Sequence, residues 1–377
     1  MTETYRNYID GEWCDSASGR TVDNVNPADT RDIVSRHAAS DARDAAAAVA
    51  AAAAAFDGWK KTPIGKRAKI LNDAAAHLEA NADAIAAELT REEGKALNLA
   101  RDEVMRSAQT LRFYAVEGQT FSGESYPNDD PDMLVYSLRE PLGVVTVISP
   151  WNFPVSIPAR KIAPALITGN TVVFKPSSDA PLSGYRLAEA FVRAGIPKGV
   201  LNFLTGSAAE VGPTIVESRE VRAVSFTGST SAGEQIHKSV PMTTRTQMEL
   251  GGKNPLIVME DADLDRAVDL AVKGGLSLSG QACTGTSRIL VMRDVKQAFT
   301  EKLVAKVKAL KIGSSMTAGM DLGPLATRKQ LETVLSYIAI GKQEATLLCG
   351  GEQLSDGDFA HGYYVAPTVF TDVTQSM

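Results

Sequence analysis

Residues 143–175 read GVVTVISPWNFPVSIPARKIAPALITGNTVVFK, and two short runs inside them decide the fold. Residues 144–148 and 171–175 are nearly unbroken apolar and β-branched runs, while 157–166 between them place apolar side chains at helical spacing. Strands without polar alternation are covered on both faces, and a strand–helix–strand unit makes its two strands parallel. The alternation continues toward the C-terminus with helix 183–194, strand 200–204, helix 208–216, strand 223–226 and a helix starting near Ser231. A second α/β unit opens near Asn254, with strand 256–259, helix 264–274, strand 289–292 and helix 296–310. The expected class is α/β, with a parallel sheet that binds ligands at the carboxyl ends of its strands.

Toward the N-terminus the pattern changes. Tyr8-Ile9-Asp10-Gly11-Glu12-Trp13 reads as a hairpin, because Asp-Gly favours a tight turn between strands. Helices are then expected from the neighbourhood of Ser40 and Asp44, over 45–56, 66–81, 83–94 and 97–117. The turn-forming Tyr126-Pro127-Asn128-Asp129-Asp130-Pro131 and the strand-forming 133–138 read as a hairpin inserted between the helical and α/β regions. The alanine-rich run 45–56 is too short for a bilayer, which needs about 20 residues, and alanine is the best helix former. No signal peptide opens the sequence. The 377 residues carry 44% hydrophobic and 22% charged side chains and a net charge of −6, which excludes wholesale disorder and an electrostatic nucleic-acid footprint. Length alone suggests two or three domains. Cys14, Cys283 and Cys349 form neither a disulfide framework nor a zinc spacing, which points to a reducing cytosol.

Five loops at strand ends carry unusual chemistry. In Pro150-Trp151-Asn152-Phe153-Pro154, Asn152 offers an amide donor between two large aromatics. Such a donor can stabilise an oxyanion by about 3–4 kcal/mol, or simply satisfy loop backbone groups. Lys175-Pro176-Ser177-Ser178 can hold a ribose or phosphate, or end in a solvated lysine. Phe226-Thr227-Gly228-Ser229-Thr230 runs from strand to helix, where free N–H groups attract phosphate, although a plain helix cap reads the same way. Glu249, between apolar Met248 and Leu250, suits a general base if its neighbours desolvate it, and is otherwise a surface residue of an edge strand. Cys283, in Ser279-Gly280-Gln281-Ala282-Cys283-Thr284-Gly285, has little core to fill and reads as a nucleophile. Cys14 and Cys349 read as buried structural thiols. The four histidines lack supporting context, which disfavours a Cys–His dyad.

In this order, Pro150–Pro154, Phe174-Lys175-Pro176, Phe226–Thr230, Glu249-Leu250-Gly251-Gly252-Lys253 and Gly280–Cys283 resemble the aldehyde dehydrogenase superfamily, over essentially the whole chain. The resemblance implies a Rossmann-like cofactor domain over 1–120 and 142–252, an oligomerisation hairpin over 121–141 and an α/β catalytic domain over 253–377. It implies that Cys283 attacks the aldehyde, that Asn152 and the Cys283 N–H form the oxyanion hole, and that the thiohemiacetal yields a hydride to nicotinamide, leaving a thioester. Glu249 then activates water, and Lys175 completes the implied catalytic set. The cofactor is implied to rest on Ser149, Pro150, Trp151, Lys175, Ser177, Ser178, Gly206, Phe226, Thr227, Gly228, Ser229, Gly233, Glu249, Leu250 and Gly251. NAD-preferring members often carry Glu where this chain has Ser178. A neutral hydroxyl does not repel a 2′-phosphate and Lys175 attracts it, so NADP is expected to be accepted beside NAD.

Residues 152–164, 251–258 and 284–288 look similar to the α-ketoglutarate semialdehyde (2,5-dioxopentanoate) dehydrogenases, with succinate semialdehyde dehydrogenase as the alternative within the family. The implied substrate contacts are Asn152, Phe153, Arg160, Ala282 and Thr284. Arg160 is suited to a substrate carboxylate, or else pins its helix to a neighbour. Relatives often carry Arg where Ala282 precedes the nucleophile, which is a departure from the pattern. No metal is implied, and the expected assembly is a homodimer or homotetramer in the cytoplasm. The resemblance also implies that family chains continue beyond the position of Met377 with a Glu-Glu-x-Phe-Gly-Pro segment that holds the nicotinamide ribose and ring. A polypeptide ending there is expected to position cofactor weakly, to expose an apolar face of its catalytic domain, or to serve as a non-catalytic binding or structural protein.

Overall fold

A computed structural model describes residues 3–377. At its centre is a seven-stranded sheet in the order Arg245–Glu249, Val221–Thr227, Val144–Ile148, Thr171–Lys175, Leu201–Phe203, Asn7–Ile9, Glu12–Cys14. The first five strands are parallel and the last two, the N-terminal hairpin, are antiparallel. Asp10 and Gly11 take φ of 49° and 89°, the left-handed pair that a two-residue hairpin turn requires.

Side chains alternate between the two faces of each strand. Val145, Val147, Val172 and Phe174 face one core, covered by α2 (Ile64–Ala80), α3 (Ala82–Glu93), α4 (Leu97–Thr120), α5 (Ser156–Ile167) and α6 (Pro181–Arg193). Val144, Val173 and Val224 face the other, under α1 (Ala42–Lys60) and α7 (Ala208–Glu217). Both faces are buried, as the unbroken apolar runs require. A smaller unit pairs Asn254–Val258 in parallel with Thr286–Val291, beneath α9 (Leu264–Leu276) and α10 (Lys296–Lys308), around Val258, Val268, Phe299 and Leu303.

Several elements differ from the sequence reading. Thr21–Asn26 and Asp29–Ala38 form a three-stranded sheet with Thr4–Tyr5, in a stretch where the sequence reading places no strand. Their side chains are largely polar, and the strands are held by antiparallel backbone pairing, with cross-strand pairs such as Arg36 Nε to Asp23 Oδ1 at 2.7 Å on the exposed face. Helix α1 is capped by Asp41, one residue after the expected Ser40, with Asp44 closing the capping box. Arg245–Glu249, which the sequence reading offers only as an edge strand around Glu249, pairs in parallel with Val221–Thr227 at the sheet edge. Arg328–Glu344 is a helix that the sequence reading leaves unassigned. The inserted hairpin is shorter than expected, Ser125–Tyr126 against Val135–Tyr136, and is exposed throughout. Among the described residues no helix is long and apolar enough to cross a membrane.

Candidate active site

The register of the parallel strands gathers the candidate residues. Ile148 lies beside Lys175 on one side and Phe226 on the other, and Thr227 beside Glu249, so four strands deliver their following loops to one edge. In the first loop, Asn152 is half-buried and its Nδ2 donates to the carbonyl of Gln281 at 2.8 Å. An amide carries two hydrogens, so this bond fixes its plane and leaves the second available. The buried Oδ1 of Asn152 has no hydrogen-bond partner among the described residues.

The Cys283 loop is held in an unusual backbone shape. After α9, Leu278, Ser279 and Gly280 take φ of 55°, 52° and 77° in succession. For the two residues that are not glycine this costs about 1–2 kcal/mol each, and such strain persists only where surrounding contacts enforce it. Those contacts are present. Gln281 Oε1 accepts from the Ala326 N–H at 3.0 Å, Ser279 Oγ donates to Gly323 O at 2.8 Å, and Asn254 Nδ2 donates to the carbonyl of Cys283 at 2.7 Å. Cys283 and Thr284 are exposed and Ala282 half-buried, whereas Cys349 is buried, as a structural thiol should be. Cys14, also read as buried, is only half-buried.

Glu249 corrects one expectation. It is exposed at the end of the edge strand, and its apolar neighbours do not bury it, because successive strand residues face opposite ways. It is instead oriented by hydrogen bonds. Gln247 Nε2 donates to Glu249 Oε1 at 3.0 Å, and Gln247 Oε1 accepts from Lys161 Nζ at 2.9 Å and Ser225 Oγ at 2.7 Å. Burial pushes the Lys161 ammonium down to about 8, and the nearby Glu249 opposes that. Sequence reasoning passed over both Lys161 and Gln247. The available signal was a lysine on an otherwise apolar buried helix.

Burial also pushes Lys175 down to about 8, opposed by neighbouring Asp179, while its Nζ donates to Pro176 O at 3.0 Å. Ser177 is half-buried. Ser178 is exposed, with Oγ on Gly206 O at 3.0 Å. Ser149 Oγ and Thr227 Oγ1 are buried without partners among the described residues, while Pro150, Trp151 and Leu250 are half-buried and Gly251 is exposed. Ser229 caps α8 (Thr230–Ser239), accepting from the Ala232 N–H at 3.3 Å. A Cβ on Gly228 would meet the Phe226 ring at 2.5 Å, and one on Gly233 would meet Leu250 at 2.6 Å. Orphaned hydroxyls, a buried lysine and a capped helix start beside close-packed glycines fit a dinucleotide.

Arg160 is exposed on α5, one wall of a pocket of about 320 Å³ whose other wall is the α4 stripe Arg106, Gln109, Thr110, Phe113 and Tyr114. No lining residue is acidic. Elsewhere on α4, Arg101 pairs with Asp83 and Arg112 with Glu79, but Arg106 and Arg160 have no carboxylate partner among the described residues. Ala282, Thr284 and Phe153 do not line this pocket. Arg106 escaped sequence reasoning because only helix packing places it opposite Arg160.

The family model described as "Aldehyde dehydrogenase family" matches residues 13–377. The chain belongs to the aldehyde dehydrogenase family. It is 44% identical over 376 residues to the α-ketoglutaric semialdehyde dehydrogenase of Bacillus subtilis, covering 99% of this chain and 77% of that protein. It is 41% identical to the 2,5-dioxopentanoate dehydrogenase of Saccharolobus solfataricus, covering 96% and 75% respectively. Betaine aldehyde dehydrogenase from Staphylococcus aureus, solved with NAD+, superposes with a TM-score of 0.97 at 36% identity, over 99% of this chain and 74% of that one. A 3,6-anhydro-L-galactose dehydrogenase solved in complex with NAP superposes with a TM-score of 0.95 at 36% identity, over 99% and 79%. This aldehyde dehydrogenase is an oxidoreductase that uses NAD or NADP, and the fold is that of its family.

Proposed function

We propose that the chain oxidises a carboxylated semialdehyde, α-ketoglutarate semialdehyde, to α-ketoglutarate. The observation that supports an acidic substrate is the pair of unpaired arginines, Arg106 and Arg160, on one pocket without an acidic lining residue. A guanidinium fork grips a carboxylate through two parallel hydrogen bonds, so two forks select strongly for that group. The names of the relatives at 44% and 41% identity point to the same aldehyde. Succinate semialdehyde carries the same carboxylate and is the competing substrate.

In this reading the Cys283 thiolate attacks the aldehyde carbon, and the resulting oxyanion accepts from the free Asn152 amide hydrogen and the Cys283 N–H. A nicotinamide held at this edge would supply the oxidation as a hydride acceptor. Glu249, held by Gln247, takes a proton from the water that cleaves the Cys283 thioester, releasing the acid and restoring the thiol. Lys175 and Ser178 hold the adenosine ribose, with NADP accepted because Ser178 brings no negative charge, while Asp179 tempers that preference. Ser149, Thr227, Ser229 and the start of α8 face the pyrophosphate. Residues 1–120 and 142–252 serve as the cofactor domain, 253–377 as the catalytic domain, and 121–141 as an arm that joins subunits of a dimer or tetramer. A reducing cytoplasm keeps the exposed Cys283 thiol competent.

The test compares α-ketoglutarate semialdehyde, succinate semialdehyde and pentanal in wild type, Arg106→Ala and Arg160→Ala. Each substitution is expected to raise KM for the acidic aldehydes by about tenfold, the value of a charge-assisted pair near 1.4 kcal/mol, and to leave pentanal unchanged. An unaltered KM for the acidic aldehydes in both variants would remove the arginines from the site.

A further inference from the structure

Behind the Asn152 loop lies a buried charged cluster that the chemistry above does not use. Lys95 is 1% exposed, and Glu93 and Glu103 are equally enclosed. Lys95 Nζ pairs with Glu103 Oε2, lies 3.7 Å from Glu93 Oε2, donates to the backbone carbonyl of Asn152 at 2.7 Å and sits 4.4 Å above the Phe153 ring. The other oxygen of Glu103 accepts from the Val155 and Ser156 N–H groups at 2.9 and 3.1 Å. One ion pair therefore holds both ends of the five residues from Asn152 to Ser156.

A buried ion pair is a poor source of stability, since apolar side chains of similar volume do as well. What it provides is fixed geometry. Lys95 and Glu103 neutralise each other, and burial pushes the Glu93 carboxyl well above the usual carboxylate range, opposed by the nearby Lys95 ammonium. The directional bonds of the Lys95–Glu103 pair run to the loop. From Asn152 the tether continues through the 2.8 Å bond to Gln281 O, two residues before Cys283.

We propose that the Lys95–Glu103 pair is a positioning device that sets the Asn152 amide relative to Cys283, with Lys95 and Glu103 as positioning residues rather than catalytic ones. The proposal rests on the reading of Asn152 as an oxyanion donor. An amide displaced by a fraction of an ångström loses most of its stabilisation, because that depends on a preset hydrogen-bond distance.

The experiment uses the cofactor-independent acylation of Cys283 by p-nitrophenyl acetate, which passes through the same oxyanion. The proteins are wild type, Lys95→Met, Glu103→Gln, Asn152→Ala and the two double variants with Asn152→Ala. Lys95→Met and Glu103→Gln are expected to slow acylation about tenfold or more with ester KM within about twofold, and Asn152→Ala to slow it about 100-fold. In the Asn152→Ala background the Lys95 and Glu103 substitutions are expected to cost nothing further, since residues acting through one group are not additive. Additive losses, or single variants within twofold of wild type, would overturn the proposal. An Asn152→Ala protein that acylates normally would instead overturn the oxyanion reading itself. If Lys95→Met does not fold, as a thermal melt will show, the milder Glu103→Gln carries the test alone.

Discussion

Lys175 joins the end of a strand to a charge that burial has made negotiable. Its ammonium, pushed down to about 8, is partly neutral in mildly alkaline solution. A 2′-phosphate binds the charged form, so binding raises the affinity of Lys175 for its proton, and affinity is full below about pH 8 and lost as pH rises through it. The expected result is a Kd for NADP that weakens by up to tenfold per pH unit between pH 8 and 9, with a smaller change for NAD. Lys175→Met is expected to flatten the difference in a fluorescence titration across pH 7–9. At this scale the candidates were legible: Cys283 in its polar turn-rich run, Asn152 between aromatics and Lys175 at a strand end are local features. Arg106, Lys161 and Gln247 were not, because their meaning comes from partners tens of residues away.

Elements were legible where local chemistry and tertiary demand agree. The four N-terminal helices and the four central strands 144–148, 171–175, 200–204 and 223–226 follow from periodicity, and Asp10-Gly11 announces its turn. Gly94 shows a terminus decided by both levels. It ends α3 in the left-handed region at φ 86°, and a Cβ there would lie 2.6 Å from Pro324 Cγ. Gly94→Ala is expected to destabilise the protein by about 1–3 kcal/mol through backbone strain and overpacking, read as a lower denaturant midpoint. Asp44 is a second case. It closes the capping box of α1 and its Oδ1 accepts from the Ala17 N–H at 2.9 Å. Asp44→Ala should therefore cost about 1–2 kcal/mol, above a simple exposed cap. The strand Arg245–Glu249 was legible only as an alternative around Glu249, because an edge strand is stabilised by its neighbour's backbone and needs no apolar face.

Across the whole molecule the inserted hairpin stands apart. Leu134 and Leu138 are 76% and 70% exposed and, with Met133 and Tyr136, lie on or beside the two-residue strand Val135–Tyr136, which is itself exposed. A patch of this kind on a protruding arm suits a subunit interface. Leu134→Asp with Leu138→Asp is expected to reduce the assembled mass in light scattering while leaving the melting temperature of the dissociated chain within a few degrees. An unchanged mass would remove the hairpin from any subunit interface.

The sequence by itself determined the α/β class and the order of the central elements, and it named Cys283 and the strand-end loops as candidates for the nucleophile and the cofactor edge. These rest on short-range patterns: apolar runs that must be buried twice, and polar residues confined to strand ends. Only the tertiary structure decided that Glu249 is exposed and oriented through Gln247 and Lys161, that Arg106 joins Arg160, and that Lys95 and Glu103 grip the Asn152 loop. Each of those depends on side chains from different elements meeting at hydrogen-bond or ion-pair distance, and no local period records such a meeting.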